Sequence, residues 1–152
     1  MTSDPAKEPF VKEMITDIIP YVDSHYRTIA NANARAMAGL SMGGIQTLNV
    51  TMSNLDKFRY VGIFSSGWFA EPDRQWFIDN LAPKVVARLN AQLKVFWWGW
   101  GATDFAKPGS VAMVNYFKSK GVKITAERES AGGHDWRNWR LYLYEFAPLL
   151  FR

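Results

Sequence analysis

Ala38-Gly39-Leu40-Ser41-Met42-Gly43-Gly44 is the stretch whose reading decides the fold. Residues 39–43 fit G-x-S-x-G, the pattern of a nucleophile elbow, in which a serine occupies a sharp turn between a strand and a helix. A serine held there stands clear of the surface, and small neighbours avoid clashes across the turn. The pattern by itself is weak, since average Gly and Ser usage produces it in roughly one chain in twenty of this length. Its setting is stronger. Ala36, Met37, Ala38 and Leu40 form a short apolar run of the length of a buried parallel strand. Past the serine, Ile45, Leu48 and Met52 recur at helical spacing.

Outward from the elbow the same alternation continues. Residues 60–64, 93–98 and 122–127 read as further strands, the second ending at Gly99-Trp100-Gly101. Residues 73–90 are helical in composition but interrupted at Pro83, residues 111–120 form a helix stopped by Gly121, and residues 136–150 form the closing helix. Upstream, Phe10, Met14, Ile15, Ile18, Ile19 and Val22 mark an amphipathic helix over 10–26, which Pro20 should kink or split. His25 near its end reads as a surface or capping histidine. Strands alternating with helices predict right-handed crossovers and a parallel sheet. The expectation is an α/β chain of about four parallel strands, with helices on both faces, forming a single domain over 1–152.

Composition narrows the chemistry. The chain has 152 residues, 48% of them apolar and 21% charged, which suits a globular domain. Its formal charge of +4 comes from scattered Lys and Arg with no run or stripe, so no nucleic-acid footprint is expected. Zero cysteines remove disulfides, thiol nucleophiles and thiolate metal sites. Only His25 and His134 are present, which argues against a histidine-rich metal centre. No apolar run has the length of a membrane span and the first residues lack a hydrophobic signal core, so membrane insertion is not expected, nothing in the chain directs export, and the compartment is left open.

A serine nucleophile needs a base, and the base needs an orienting acid. His134 is the only histidine after Ser41, and it lies past Gly132-Gly133 between the last strand and the last helix. There, at the carboxyl ends of the strands, open α/β sheets hold ligands. Asp104, on the loop after the third strand, is the favoured acid; Asp73 and Asp79 fall in a helical region and Asp135 adjoins the histidine itself. Asp104 would serve equally as a helix N-cap. Met42, directly after the serine, is the expected backbone donor to an oxyanion.

With these residues in view, the chain resembles the esterase D-type α/β-hydrolases. The resemblance rests on Ile19-Pro20-Tyr21-Val22 with Tyr26-Arg27-Thr28, on the elbow, on Gly132-Gly133-His134-Asp135-Trp136 with Trp139-Arg140, and on Phe146-Ala147-Pro148-Leu149-Leu150-Phe151. Within that group it is most similar to the feruloyl and acetyl-xylan esterases of carbohydrate esterase family 1. The resemblance implies a Ser41, Asp104, His134 triad that needs no cofactor or metal. The implied substrate is a phenolic or acetyl ester, attached in nature to plant xylan. Trp68, Trp98, Trp100 and Trp136 become candidate stacking faces for its rings. Asp135 stands where many relatives have threonine, and close to the imidazole it would compete with Asp104.

Family members begin with several strands ahead of the segment resembling 10–26, so the resemblance implies a truncated α/β-hydrolase fold. Two expectations follow. The strand at 35–40 becomes an apolar sheet edge, which a second copy or another chain would cover, giving a homo-oligomer. A second oxyanion donor is missing, a loss that typically lowers kcat by about 10²–10³. Two other readings compete: a non-catalytic remnant acting as an interaction module, and a relative acting on thioesters, siderophore esters or acyl-sugars.

Overall fold

The structure, a computed structural model, describes residues 4–152. Four strands, Ala36–Leu40 (β1), Tyr60–Phe64 (β2), Val95–Gly101 (β3) and Ala126–Ser130 (β4), lie parallel in the order β1-β2-β3-β4. Right-handed crossovers that step always in one direction must place their helices on one face. That is the arrangement found. Met42–Ser53 (α3), Glu71–Asn80 (α4), Ala82–Gln92 (α5) and Lys107–Ser119 (α6) connect the strands. They bury Ile45, Leu48, Phe77, Leu89 and Phe117 against Val61, Ile63, Phe96 and Trp98 in one cluster.

The strand pleat sends alternate side chains the other way. Tyr60, Phe64, Val95 and Trp97 point to the opposite face, where Trp136–Phe146 (α7) covers them with Tyr142 and Phe146. Those two residues, with Trp139, fall at helical spacing on one stripe, so α7, with Leu149 and Leu150 after it, seals a face that three connections seal on the other side. Each large apolar side chain buried this way contributes about 1.5–3 kcal/mol.

Residues 9–25 form one rod rather than two helices. Pro9–Glu13 (α1) and Ile19–His25 (α2) are joined by a single wider, π-helical turn, Met14–Ile18. Pro20 explains the widening, because its ring clashes with the carbonyl four residues back in a regular helix and it has no N–H to donate. Ile19 N–H accordingly bonds Met14 O, five residues back. The rod packs Val11 against Val50 of α3 and Phe58.

Two strands are shifted from expectation, β3 from 93–98 to Val95–Gly101 and β4 from 122–127 to Ala126–Ser130. Gly99, Trp100 and Gly101 continue β3 instead of ending it, pairing with Arg128, Glu129 and Ser130. The last strand begins at Ala126, because Val122 belongs to the helix-side core and Val122 N–H bonds Phe117 O at the end of α6. As an edge strand, β4 carries alternating charge, Glu127-Arg128-Glu129, a pattern that a search for apolar runs passes over. Pro83 does divide its helical segment, and sits in the first turn of α5, where a missing N–H leaves nothing unpaired.

Candidate active site

The chain leaves β1 at Leu40 and enters α3 at Met42, and Ser41 makes the whole turn with φ 52° and ψ −123°. Few residues other than glycine hold such a conformation without support. Support comes from the loop after β2. Ser41 N–H donates to Phe64 O at 2.9 Å, and Ser66 Oγ donates to Ser41 O at 2.5 Å. Ser66 is itself held, since Ser110 Oγ of α6 donates to its carbonyl. Neither serine was flagged from the sequence, where Ser65-Ser66-Gly67 reads only as the turn after a strand.

The elbow also needs empty space, but at only one of the two glycines of the G-x-S-x-G pattern. A Cβ on Gly39 would meet Gly43 O at 2.1 Å, and one on Gly44 would meet Ser66 Cβ at 2.3 Å. A Cβ on Gly43 would meet nothing within 4 Å. The second tight glycine is thus Gly44, one position past the pattern.

Three chain segments converge on the Ser41 hydroxyl. His134 Nε2 lies 2.9 Å from Ser41 Oγ, across 93 positions of sequence. Its Nδ1 lies 2.8 Å from Asp104 Oδ1. A carboxylate only accepts, so Nδ1 carries the proton and Nε2 presents a lone pair to the hydroxyl. Asp104 is 4% exposed and its Oδ1 also accepts from Ala106 N–H at 2.8 Å, so the acid is at once a cap for its own turn and a partner of the histidine. The loops bearing Asp104 and His134 are joined by Thr103 N–H to Gly132 O at 2.9 Å, and Asn138 Nδ2 donates to Gly133 O at 2.7 Å. Met42 is the first residue of α3, so its N–H has no acceptor within the helix and sits at the positive end of the helix dipole.

Aromatic rings flank the imidazole on both sides. Phe105 lies tilted over it at 4.3 Å between centroids, and Trp139 meets it edge-on at 4.9 Å. The sequence proposes neither as a site residue: Trp139 enters only through the resemblance, and Phe105 is one apolar residue in a loop. The four tryptophans proposed as stacking faces fare differently. Trp68 and Trp98 are 1% and 0% exposed and offer no face to any ligand. Trp68 stacks on Phe77 and donates Nε1–H to Asn49 Oδ1, while Trp98 packs on Phe96 and Phe117. Trp100 is also buried, and the Lys107 ammonium together with the Trp100 indole N–H holds the Glu129 carboxyl below the usual range. The strand pleat turns Trp98 and Trp100 towards the crossover helices. Only Trp136 is open, 66% exposed and edge-on to Trp139.

Asp135 does not compete for the histidine. Its carboxylate accepts from the Asn138, Gly133 and Arg137 N–H groups as the N-cap of α7, bonds that occupy both oxygens and hold its pKa below the usual aspartate range. The folded-state pKa is lowered, so this stabilisation is present above about pH 3.9 and is lost as pH falls through the folded value. Asp135→Asn keeps a capping oxygen without the charge. Thermal melts from pH 6 to pH 2.5 should show the variant losing less stability than wild type in the acid limb; equal slopes would refute the capping account. His25, exposed, stacks on Tyr21 and bonds Tyr21 O at the end of α2, far in function from the serine. Among the described residues no group of three or more His, Cys, Asp or Glu is placed to hold a metal ion, and no helix is long and apolar enough to cross a membrane.

Comparison with known proteins places the chain in a family. A family described as "Putative esterase" matches residues 1–149. The chain belongs to the Esterase family. A relative from Xylanibacter ruminicola, an endo-1,4-beta-xylanase/feruloyl esterase, is 31% identical over 146 residues, which are 95% of this chain and 18% of that protein. A solved ferulic acid esterase superposes with a TM-score of 0.71 at 26% identity, over 91% of this chain and 59% of the other. The feruloyl esterase module from Clostridium thermocellum, solved as a mutant complexed with sinapinate, superposes with a TM-score of 0.69 at 21% identity, over 94% and 58%. The second likeness shows the fold alone. The Esterase-family chain thus has an α/β-hydrolase fold and spans less than two thirds of the length of these relatives.

Proposed function

We propose that this protein hydrolyses carboxylic esters with Ser41 as nucleophile, His134 as base and Asp104 as orienting acid. The observation that carries the reading is the 2.9 Å approach of His134 Nε2 to Ser41 Oγ with Asp104 on the other ring nitrogen. In the first half-reaction Nε2 takes the hydroxyl proton while Oγ bonds the ester carbon. The carbonyl oxygen becomes an oxyanion facing Met42 N–H at the start of α3. Its collapse breaks the bond to the alcohol, whose oxygen receives the proton from Nε2. Water then enters where the alcohol left and gives a proton to Nε2 as its oxygen bonds the acyl carbon; the bond to Ser41 Oγ breaks, Nε2 returns the proton to Oγ, and the acid is released.

The substrate class we propose is a feruloyl or acetyl ester of plant polysaccharide. It is supported by the names of the xylanase/feruloyl esterase and ferulic acid esterase relatives and by the rings beside His134. The test is a panel: methyl ferulate, p-nitrophenyl acetate and an acetyl thioester, assayed with one preparation. Turnover of either ester is expected to exceed that of the thioester; the reverse order overturns the substrate assignment.

A second copy is the partner we propose. The β4 edge is guarded by Glu127, Arg128 and Glu129, each ion-paired, to Lys118, Glu145 and Lys107. The β1 edge, Ala36–Leu40, carries no charge and leaves Ala38 exposed at its centre. Such an edge invites pairing, and two copies related by a two-fold axis would pair their β1 strands antiparallel. Light scattering at micromolar concentration should report a dimer or larger species. A monomer throughout that range refutes it.

A further inference from the structure

Five rings run in a row across the rim of the site: Phe69, Phe105, His134, Trp139 and Trp136, with successive centroids 5.8, 4.3, 4.9 and 5.2 Å apart. The middle ring is the imidazole. On one flank Trp139 is half-buried and engaged edge-on by both His134 and Trp136. On the other flank Phe105 is 67% exposed, a large apolar side chain whose burial nothing in the core requires. Open to solvent and centred 4.3 Å from the imidazole, the ring offers a flat apolar face to whatever occupies the space beside the base.

Acyl-transfer chemistry says which part of the ligand that is. Nε2 returns its proton to the leaving oxygen, which must therefore come within about 3 Å of it. Whatever is bonded to that oxygen then lies over the neighbours of the imidazole. The carbonyl oxygen points elsewhere, to Met42 N–H at the start of α3. We propose that Phe105 is the platform for the alcohol part of the ester, so that this site selects its substrates by leaving group: a flat aryl or sugar ring in preference to a small alkyl group. The proposal rests on the ester-hydrolase reading above.

The reaction's bookkeeping of atoms gives it a distinctive signature. In acylation the Ser41 Oγ–carbon bond forms, the carbon–alcohol bond breaks, and the serine proton travels through Nε2 to the alcohol oxygen. In deacylation water occupies the alcohol's place, and water does not reach a ring. Phe105 therefore acts on acylation and leaves deacylation alone. A residue that merely steadied His134 would act on both, because the imidazole serves in each.

The test uses the full chain and four esters that separate the two halves of the substrate: methyl ferulate, the ferulate ester of arabinose, ethyl acetate and p-nitrophenyl acetate. Phe105→Ala is expected to lower kcat/KM about fivefold on the arabinose and p-nitrophenyl esters, as expected for loss of one ring contact. On the methyl and ethyl esters the change should stay within about twofold on the same scale. The deacylation rate, read from the steady state after a p-nitrophenol burst, should not change. Phe105→Leu, which keeps apolar bulk without the flat face, should show the same ranking and guards against misfolding of the alanine variant. Equal losses on all four esters, or a slowed deacylation, would make Phe105 a support for the imidazole only. Losses on both ferulates and neither acetate would place it under the acyl group; both results overturn the proposal. Wild type no faster than Ser41→Ala on every ester overturns the hydrolase reading itself, and the proposal with it.

Discussion

Replacing Ser41 with alanine is expected to reduce p-nitrophenyl acetate hydrolysis to the rate seen without the nucleophile, a fall of about 10⁴-fold or more. The reason is structural as well as chemical. His134 Nε2 is aimed at Oγ from 2.9 Å, and among the described residues no other hydroxyl is hydrogen-bonded to that nitrogen. Ser41→Ala keeps the Cβ and is expected to leave in place the backbone N–H bond to Phe64 O and the bond donated by Ser66 Oγ, so the elbow survives while the chemistry stops. The measurement is initial rate against enzyme concentration, with circular dichroism to show an intact fold. If the variant retains more than about a hundredth of the wild-type rate, the nucleophile is misassigned and the hydrolase reading fails.

Gly39→Ala is expected to have the largest effect on stability. The new methyl would sit 2.1 Å from Gly43 O and 2.3 Å from Gly43 C, which are backbone atoms of the first turn of α3 and cannot rotate aside. To relieve the overlap, either β1 must leave its register with β2 or α3 must shift, and both movements open the largest core cluster. Overpacking of this kind destabilises by about 3 kcal/mol at the upper end of its usual range. Against a total stability of about 5–15 kcal/mol, that is enough to move a urea midpoint clearly. Gly43→Ala is the control, at the other glycine of the same pattern. Its methyl enters open space, and removing a glycine from a helix typically stabilises by about 0.5–1 kcal/mol. Urea midpoints falling for Gly39→Ala and holding or rising for Gly43→Ala would confirm the asymmetry; a parallel fall would refute it.

The asymmetry shows how far a motif can be read. G-x-S-x-G names two glycines as equivalents, and one strand and one helix then place Gly39 under the backbone of Gly43, with Gly43 itself facing empty space. Gly44, outside the pattern, is as confined as Gly39 because the Ser66 loop comes from a different strand. The candidate Ser41, His134 and Asp104 were legible because each bears a chemical type the mechanism demands at a position the alternation of elements makes accessible. The stacking role given to Trp68, Trp98 and Trp100 was not correctly legible. Composition marks a tryptophan as aromatic, and only the pleat of β3 and the packing after β2 decide that these rings face the core.

The amino-acid sequence by itself determined the elbow, the alternation of strands and helices, and the residue types available as nucleophile, base and acid, because these depend on local spacing and on intrinsic chemistry. Only the tertiary structure decided that all the crossover helices share one face, that β4 starts at Ala126, that Asp135 caps α7, and that Phe105 lies over His134. Each of these is a contact between segments tens of residues apart, set by the direction of the strand order and by competition for buried surface, and neither quantity is written in any single stretch of chain.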